Sequence, residues 1–327
     1  MSTKKNHNFS GFSSLPFDVY LKQLFAGGTA GCCAKSSVAW LERVKFLFQV
    51  NSPHYPYRGL FQTVRDVAQK EGLLGLWKGN GTSMLRVFPY AAIQFSVFEN
   101  CARIFAIRNE GVVPWYGNII SGSTAGIVSV VFTYPLDLVR LRMAIQYKKK
   151  YTGVTHAVYS LYKTEGGYGA LFKGMRPTII GIIPYAGINF FTFETLKATY
   201  IRLELKKRRL AGDINAAPED IKIPTVMRLL CGSIAGLTGQ TCTYPIDVVR
   251  RRMQLDGYKG NSQSFTYNYR STLHGIISIY KAEGWRALYK GLSINYIKAG
   301  PMIGISFTLF DLLKHKLGIA RPRGNQT

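Results

Sequence analysis

The sequence predicts an all-α membrane protein: six transmembrane helices in three tandem repeats with pseudo-threefold symmetry, plus three short amphipathic helices on one side. Three observations carry this. The same elements recur three times along 327 residues. Several apolar stretches carry no charge, Trp115–Leu136 running for twenty-two residues, long enough to cross a bilayer as a helix. A cluster of proline, acid and base interrupts such stretches at matched places, and charge at that depth is tolerated only when it faces inward.

The repeat consists of three elements in a fixed order. First come "GGTAG", "GSTAG" and "GSIAG", giving Gly27/Gly31, Gly122/Gly126 and Gly232/Gly236. Next come "VAWLERVKFLFQ" (Val38–Gln49), "TYPLDLVRLRMA" (Thr133–Ala144) and "TYPIDVVRRRMQ" (Thr243–Gln254). Last come "KEGLLGLWKGNG", "TEGGYGALFKGM" and "AEGWRALYKGLS". They divide the chain into a polar segment 1–18, repeats 19–110 and 111–205, a linker 206–223, a third repeat 224–318 and a tail 319–327.

Taken in order, the apolar stretches are Leu24–Leu41 (interrupted by Lys35), Val87–Phe98, Trp115–Leu136, Pro177–Phe193, Leu229–Ile246 and Ala299–Phe310. The second, fourth and sixth are the even helices. The GxxxG pairs on the odd helices are expected to let backbones approach closely in lipid. Amphipathic segments follow each odd helix near Leu60–Lys70, Val154–Lys163 and Thr272–Lys281.

The net charge of +25 points to an anionic partner: nucleic acid, acidic lipid or a small polyanion. The basic residues are spread along the whole chain with no long Lys/Arg tract. A basic peripheral protein binding nucleic acid or an anionic membrane is the alternative of a different class, and such a protein leaves the membrane at high salt. The reading favoured here takes a small anionic substrate, and no nucleic acid. No Ser/His/Asp order, Walker loop or Rossmann fingerprint appears, so no enzyme is expected. The five cysteines (Cys32, Cys33, Cys101, Cys231, Cys242) form no CxxC and no zinc spacing with the histidines, so neither metal nor cofactor is expected. Residues 1–20 are polar, without the apolar core of a secretory signal or an Arg-rich transit pattern, so any organelle address is expected inside the mature chain.

The spacing of the charged cluster is informative. Counted from Pro245, Asp247, Arg250 and Gln254 lie at +2, +5 and +9, which places them on one helix face. The proline kinks the helix toward the central axis. Three such helices bring together the acids Glu42, Asp137 and Asp247 and the bases Lys45, Arg140 and Arg250, each acid pairing with a base on the neighbouring odd helix. This ring closes one end of a cavity. Gln49 and Gln254 brace it, and the second repeat has Ala144 at that position.

The PxDxxRxR motif, the EG-x4-aromatic-KG element and their threefold recurrence resemble the mitochondrial carrier family over residues 20–317. That resemblance implies an inner-membrane, multi-pass transporter, a monomer, working by alternating access, with the charged ring as its matrix gate and the amphipathic helices on the matrix side. The chain departs from the motif in repeat one, with Trp40 for proline and Leu47 for the second base, so the first helix is expected to be less kinked. Repeat two has one extra residue between Glu165-Gly166 and Phe172.

Matched on the even helices, the resemblance implies substrate contacts at Arg86, at Gly181-Ile182 and at Lys298. Two cations suit phosphates, and a Gly-Ile pair leaves a flat slot for a purine. Tyr185, Asn189 and Asn295 add hydrogen-bonding groups. "GCCAKSSVAWLERVKFLFQ", "FPYAAIQFSVFE" and "TCTYPIDVVRRRMQL" are similar to the coenzyme A carrier subgroup. This implies coenzyme A or a related adenosine phosphate, exchanged for another adenine nucleotide. An ATP/ADP-type carrier is the alternative, although the chain reads "RRRMQL" where that type has RRRMMM.

The resemblance also implies a cytoplasmic gate at Glu99, Glu194, Lys197, Asp311 and Lys314, with Ala102 where a base would stand. With one base missing there, the empty protein is expected to rest closed at the matrix ring. Lipid, cardiolipin in the family, is expected at Gly79, Gly174 and Gly291 and at Gly59 and Gly153, helix starts whose N–H groups can hold phosphate. The third turn of the latter set carries Ser271 instead of glycine.

Overall fold

The computed structural model describes residues 17–109, 111–147, 150–210, 221, 223–259, 264–265 and 267–318. The expected N-terminal segment and C-terminal tail, and most of the linker, lie outside them. Eleven α-helices are present among the described residues. Repeat one contains α1 (Phe17–Ser37), α2 (Ala39–Gln49), α3 (Leu60–Glu71) and α4 (Asn80–Arg108). Repeat two contains α5 (Trp115–Ile145), α6 (Val154–Thr164), the single turn α7 (Tyr168–Leu171) and α8 (Met175–Leu210). Repeat three contains α9 (Thr225–Leu255), α10 (Thr272–Glu283) and α11 (Leu292–Lys316). A short antiparallel pair, Tyr258–Lys259 with Ser264–Phe265, is the only strand pairing among the described residues.

The expected amphipathic segments are α3, α6 and α10, each within two residues of its expected end. By length and composition, three helical stretches suffice to cross a membrane: Tyr116–Ile145, Tyr168–Leu210 and Trp285–Lys316. The uncharged stretch of α9 is not among them, because Gly, Ser, Thr and Gln dilute its apolar character. Large apolar side chains such as Phe132, Ile183, Phe191 and Val226 point outward and are exposed.

The helices form a closed ring. α4 packs along α5, α8 along α9, and α11 back against α1, so the strongest packing joins neighbouring repeats. α8, at 36 residues, spans about 54 Å at 1.5 Å per residue and outruns a hydrocarbon core of about 30 Å. Its last turns carry Lys206, Lys207, Arg208 and Arg209. It runs on through 206–210, into the stretch read as a linker.

Two expectations are corrected. The first odd helix is broken rather than straighter: it divides at Val38 into α1 and α2, while α5 and α9 remain continuous through Pro135 and Pro245. The break has partners of its own. The Ser37 hydroxyl donates to the Ala34 carbonyl (2.8 Å), and the Trp77 indole N–H donates to the freed Ser36 carbonyl (2.9 Å). Serine hydroxyls that compete for helix carbonyls bend helices, and here they act where proline is missing.

The GxxxG pairs do not make the tightest contacts. A Cβ at Gly122, Gly232 or Gly236 would meet nothing within 4 Å, and one at Gly27, Gly31 or Gly126 only ordinary contact. Close approach falls instead on Gly28, where a Cβ would overlap the Phe88 ring, and on Gly239, where it would lie 3.3 Å from the Tyr185 carbonyl oxygen.

Candidate functional site

The three acids and three bases of the charged clusters meet as a cyclic set of ion pairs. Glu42 of α2 pairs with Arg140 of α5, and Asp137 of α5 with Arg250 of α9. Asp247 of α9 pairs with Lys45 of α2 at 3.0 Å, which completes the cycle. Gln49 donates to Asp247 (3.0 Å) and Gln254 to Asp137 (3.1 Å). Ala144 has no amide with which to brace Glu42.

Several participants were not singled out from the sequence. Tyr134 and Tyr244, each immediately before the motif proline, accept a hydrogen bond from Gln254 and Gln49 and donate one to the Lys173 and Lys290 carbonyls. Their recurrence in "TYP" was the available signal. Arg251 lies 3.2 Å from Asp137 and 3.9 Å from Asp247, and its guanidinium sits over the Phe46 ring. Nothing in the spacing marks Arg251, because only the third repeat carries a base at that position.

Below the ring the EG and aromatic-KG elements build three equivalent triads. Arg142 pairs with Glu165, which also holds Lys173 (3.3 Å). Arg252 pairs with Glu283, which also holds Lys290 (3.5 Å). In repeat one Leu47 removes the corresponding arginine, and Arg43, one helical turn earlier, supplies it: Arg43 pairs with Glu71 at 2.7 Å, and Glu71 holds Lys78. Each arginine also donates its Nε–H to the last-turn carbonyl of the next repeat's odd helix: Arg43 to Ala144 (2.8 Å), Arg142 to Gln254 (3.0 Å), Arg252 to Gln49 (3.1 Å). The Arg252 hydrogen bonds hold the Glu283 carboxyl below its ordinary pKa. Burial, together with the hydrogen bond to Glu71, pushes the Tyr55 phenol up.

Above the ring lie two adjoining chambers. The lower, about 330 Å³, is lined by Gly181, Ile182, Tyr185 and Lys298 together with the ring residues Lys45, Asp247 and Arg250. The upper, about 600 Å³, lies among α4, α5 and α8, and shares Ile182 and Tyr185 with the lower. Gly181 stands close to α9: a Cβ there would reach 3.4 Å from Ile246. Arg86 lines neither chamber. Its guanidinium sits over Tyr90, which lines the upper one, and bonds to Thr133 and to Asp137 (3.0 Å). Lys298 bonds to Glu42 (3.1 Å). Both candidate substrate cations therefore engage acids of the ring. Asn189 lines the upper chamber, whereas Asn295 is fully buried with its amide unpartnered. Lys35 lies within electrostatic reach of Arg140, Arg86 and Lys298.

At the opposite end the acids and bases are apart. Glu194 pairs with Lys197 of its own helix, both side chains about two-fifths exposed. Among the described residues no ion pair joins Glu99, Asp311 or Lys314 to another helix. Ala102 is fully buried.

Gly79, Gly174 and Gly291 precede α4, α8 and α11 with φ of 84°, 78° and 87°. A Cβ at Gly79 would lie 2.8 Å from the Arg140 carbonyl oxygen, at Gly174 2.9 Å from Gln254 Cγ, and at Gly291 3.0 Å from the Tyr244 hydroxyl. Glycine is thus required both by conformation and by a closely packed odd helix, that of the next repeat at Gly79 and Gly174 and that of its own repeat at Gly291. Gly59 and Gly153 begin α3 and α6 with open space around them. Ser271 caps α10 through its own hydroxyl, which accepts from the His274 N–H. It borders a groove of about 450 Å³ with Gly174, Arg176 and Arg270.

Comparison with known proteins agrees with this architecture. The family model "Mitochondrial carrier protein" matches residues 18–109, 111–204 and 222–320. The chain is 43% identical over 302 residues to "Solute carrier family 25 member 16" of Bos taurus, covering 90% of this chain and 88% of that protein. It is 40% identical over 319 residues to "Mitochondrial coenzyme A transporter SLC25A42" of Rattus norvegicus, covering 96% and 90%. It is 38% identical over 330 residues to "Mitochondrial carrier protein CoAc1" of Zea mays, covering 95% and 91%.

Proposed function

The chain belongs to the mitochondrial carrier family, as a multi-pass transporter of the inner membrane and not an enzyme, and on that premise we propose that it carries coenzyme A or a related adenosine phosphate in exchange for another adenine nucleotide. The observation that carries the reading is the double engagement of Arg86 and Lys298. Lys298 lines the lower chamber, Arg86 sits behind it over Tyr90 of the upper one, and each is held by an acid of the closed ring, Glu42 or Asp137. Phosphates arriving from the open end compete for both cations. Binding them takes a partner from each acid and weakens the ring on the far side. The substrate thus supplies, through contacts made in one state and not the other, the differential free energy that alternating access requires. The Gly181–Ile182 surface beside Tyr185 offers a purine a flat apolar seat. The name of the relative from Rattus norvegicus supports coenzyme A.

The glycine starts of the even helices are read as lipid sites, with a groove beside Gly174 at the start of α8. Arg176 and Arg270 beside Gly174 suit a phosphate headgroup such as that of cardiolipin. The three repeats close on themselves within one chain, so a monomer suffices.

The test is uptake by the reconstituted protein of coenzyme A, adenosine 3′,5′-bisphosphate, ATP, ADP and inorganic phosphate. Coenzyme A or the bisphosphate should be taken up best. Preference for ATP and ADP would replace the reading with adenine-nucleotide exchange, and uptake of phosphate alone would overturn it.

A further inference from the structure

The two chambers differ in chemistry. The lower one is ringed by cations: Lys45, Arg250, Arg251 and Lys298. Among the residues lining the upper one there is no acid and no base. It presents the aromatics Tyr90, Phe190 and Phe193 and three side-chain amides, Gln94, Asn118 and Asn189. Among the described residues none of these three amides bonds to another group. Amides left without protein partners on an aromatic-lined wall are free to meet a ligand's own amides.

The volumes sharpen the contrast. Ligand sites for compact molecules run from about 300 to 1,000 Å³. The lower chamber, at about 330 Å³, meets the phosphate-and-purine part of a substrate. The upper, at about 600 Å³, is the larger of the two and would stand empty above a simple nucleotide. Ile182 and Tyr185 line both, so a single molecule can pass from one to the other across that surface.

We propose that the upper chamber is a second subsite, which binds an uncharged, amide-bearing arm attached to the nucleotide, as in the pantetheine portion of coenzyme A. This rests on the substrate reading above and adds the element that separates coenzyme A from bare nucleotides. Phosphates bind among the cations, the purine lies at Gly181–Ile182, and the arm runs upward between α4, α5 and α8. Its amides pair with Gln94 and Asn118, and its methylenes and geminal methyls pack on Phe190 and Phe193.

The test compares two substrates that differ by the arm, coenzyme A and adenosine 3′,5′-bisphosphate, in reconstituted wild-type protein and in Gln94→Leu and Asn118→Leu. Each variant should weaken half-saturation by coenzyme A about tenfold, the effect of losing a hydrogen bond and leaving a ligand amide unpaired. Uptake of the bisphosphate should stay within about twofold, which also shows that the variant is folded. Equal losses for both compounds, or no loss for either, would overturn the subsite. Wild-type protein alone gives a second measurement that needs no variant to fold. It should half-saturate with coenzyme A at a lower concentration than with the bisphosphate, and equal or reversed preference overturns the proposal. Failure of the wild type to take up either compound would instead sink the substrate reading beneath it.

Discussion

Lys298 of α11 lies 3.1 Å from Glu42 of α2, joining a candidate phosphate ligand to an acid of the closed ring. Arg86 stands in the same relation to Asp137. Removing either cation should therefore cost binding and loosen the ring at once. A charge-assisted contact to phosphate is worth about 1.5–3 kcal/mol, so Arg86→Ala or Lys298→Ala should weaken substrate affinity about tenfold or more. Binding and uptake measured together check this; near-normal values in an inserted Arg86→Ala protein would remove Arg86 from the site.

The ring geometry selects between two charge swaps. Asp137 pairs with Arg250, whereas Lys45 pairs with Asp247. Asp137→Arg should abolish exchange, and adding Arg250→Asp should recover part of it. Adding Lys45→Asp should not, since it strips Asp247 as well. Exchange rates in proteoliposomes decide, and rescue by Lys45→Asp instead would contradict the pairing.

Arg43 is expected to matter for stability more than for transport. Breaking a buried ion pair by removing one partner costs about 3–5 kcal/mol, and Arg43→Leu leaves Glu71 buried without its guanidinium. Adding Leu47→Arg should restore part of the loss by supplying a base at the position the other repeats use. Thermal unfolding in detergent measures both.

The Glu283 triad makes stability depend on pH in a known direction. Its carboxyl is held low by Arg252, so its contribution is full above the unfolded carboxylate value of about 4.3 and is lost as pH falls through the lower folded value. Wild type should therefore weaken below about pH 4.5, and Glu283→Gln should be less stable near neutrality and lack that part of the acid slope. Melting curves across this range would show identical slopes if the triad were irrelevant.

The empty protein should rest open toward the cytosol. A cysteine at Ser123, which lines the upper chamber, placed in a background without the five native cysteines, should react faster with an impermeant thiol reagent from the cytosolic side. Faster reaction from the matrix side would contradict the prediction. Because Ala102 is wholly buried, Ala102→Lys should lower stability rather than add a bridge at the cytosolic end, as a lysine there must leave a packed surface or be buried unpaired.

Much of this was legible in the residues. The repeats, the helix order and the cyclic pairing of Glu42, Asp137 and Asp247 followed from threefold recurrence and from three- and four-residue gaps, which fix a helix face. What escaped depended on reach between helices. Arg43 sits one turn from the motif position, and only its long side chain brings its charge to the place Arg142 and Arg252 occupy. The break at Val38 depends on Trp77, thirty-nine residues along, so no local pattern shows it. The engagement of Arg86 with Asp137 joins two repeats. The close glycines, Gly28 and Gly239, are set by where Phe88 and Tyr185 fall on neighbouring helices, which a GxxxG spacing does not encode.

Ala144 has a consequence for timing. Of the ring's three fastenings, two are doubled by a glutamine amide, and the one between the first and second repeats is not. A hydrogen bond to a carboxylate is worth about 1.5–3 kcal/mol, so the Glu42–Arg140 clasp is the weakest unless Lys298 stays on Glu42. Once a passenger draws Lys298 away, that clasp should let go before the others. Opening would then begin as an off-centre slit between α2 and α5 and widen into a round aperture only afterwards, giving a threefold frame a preferred exit side.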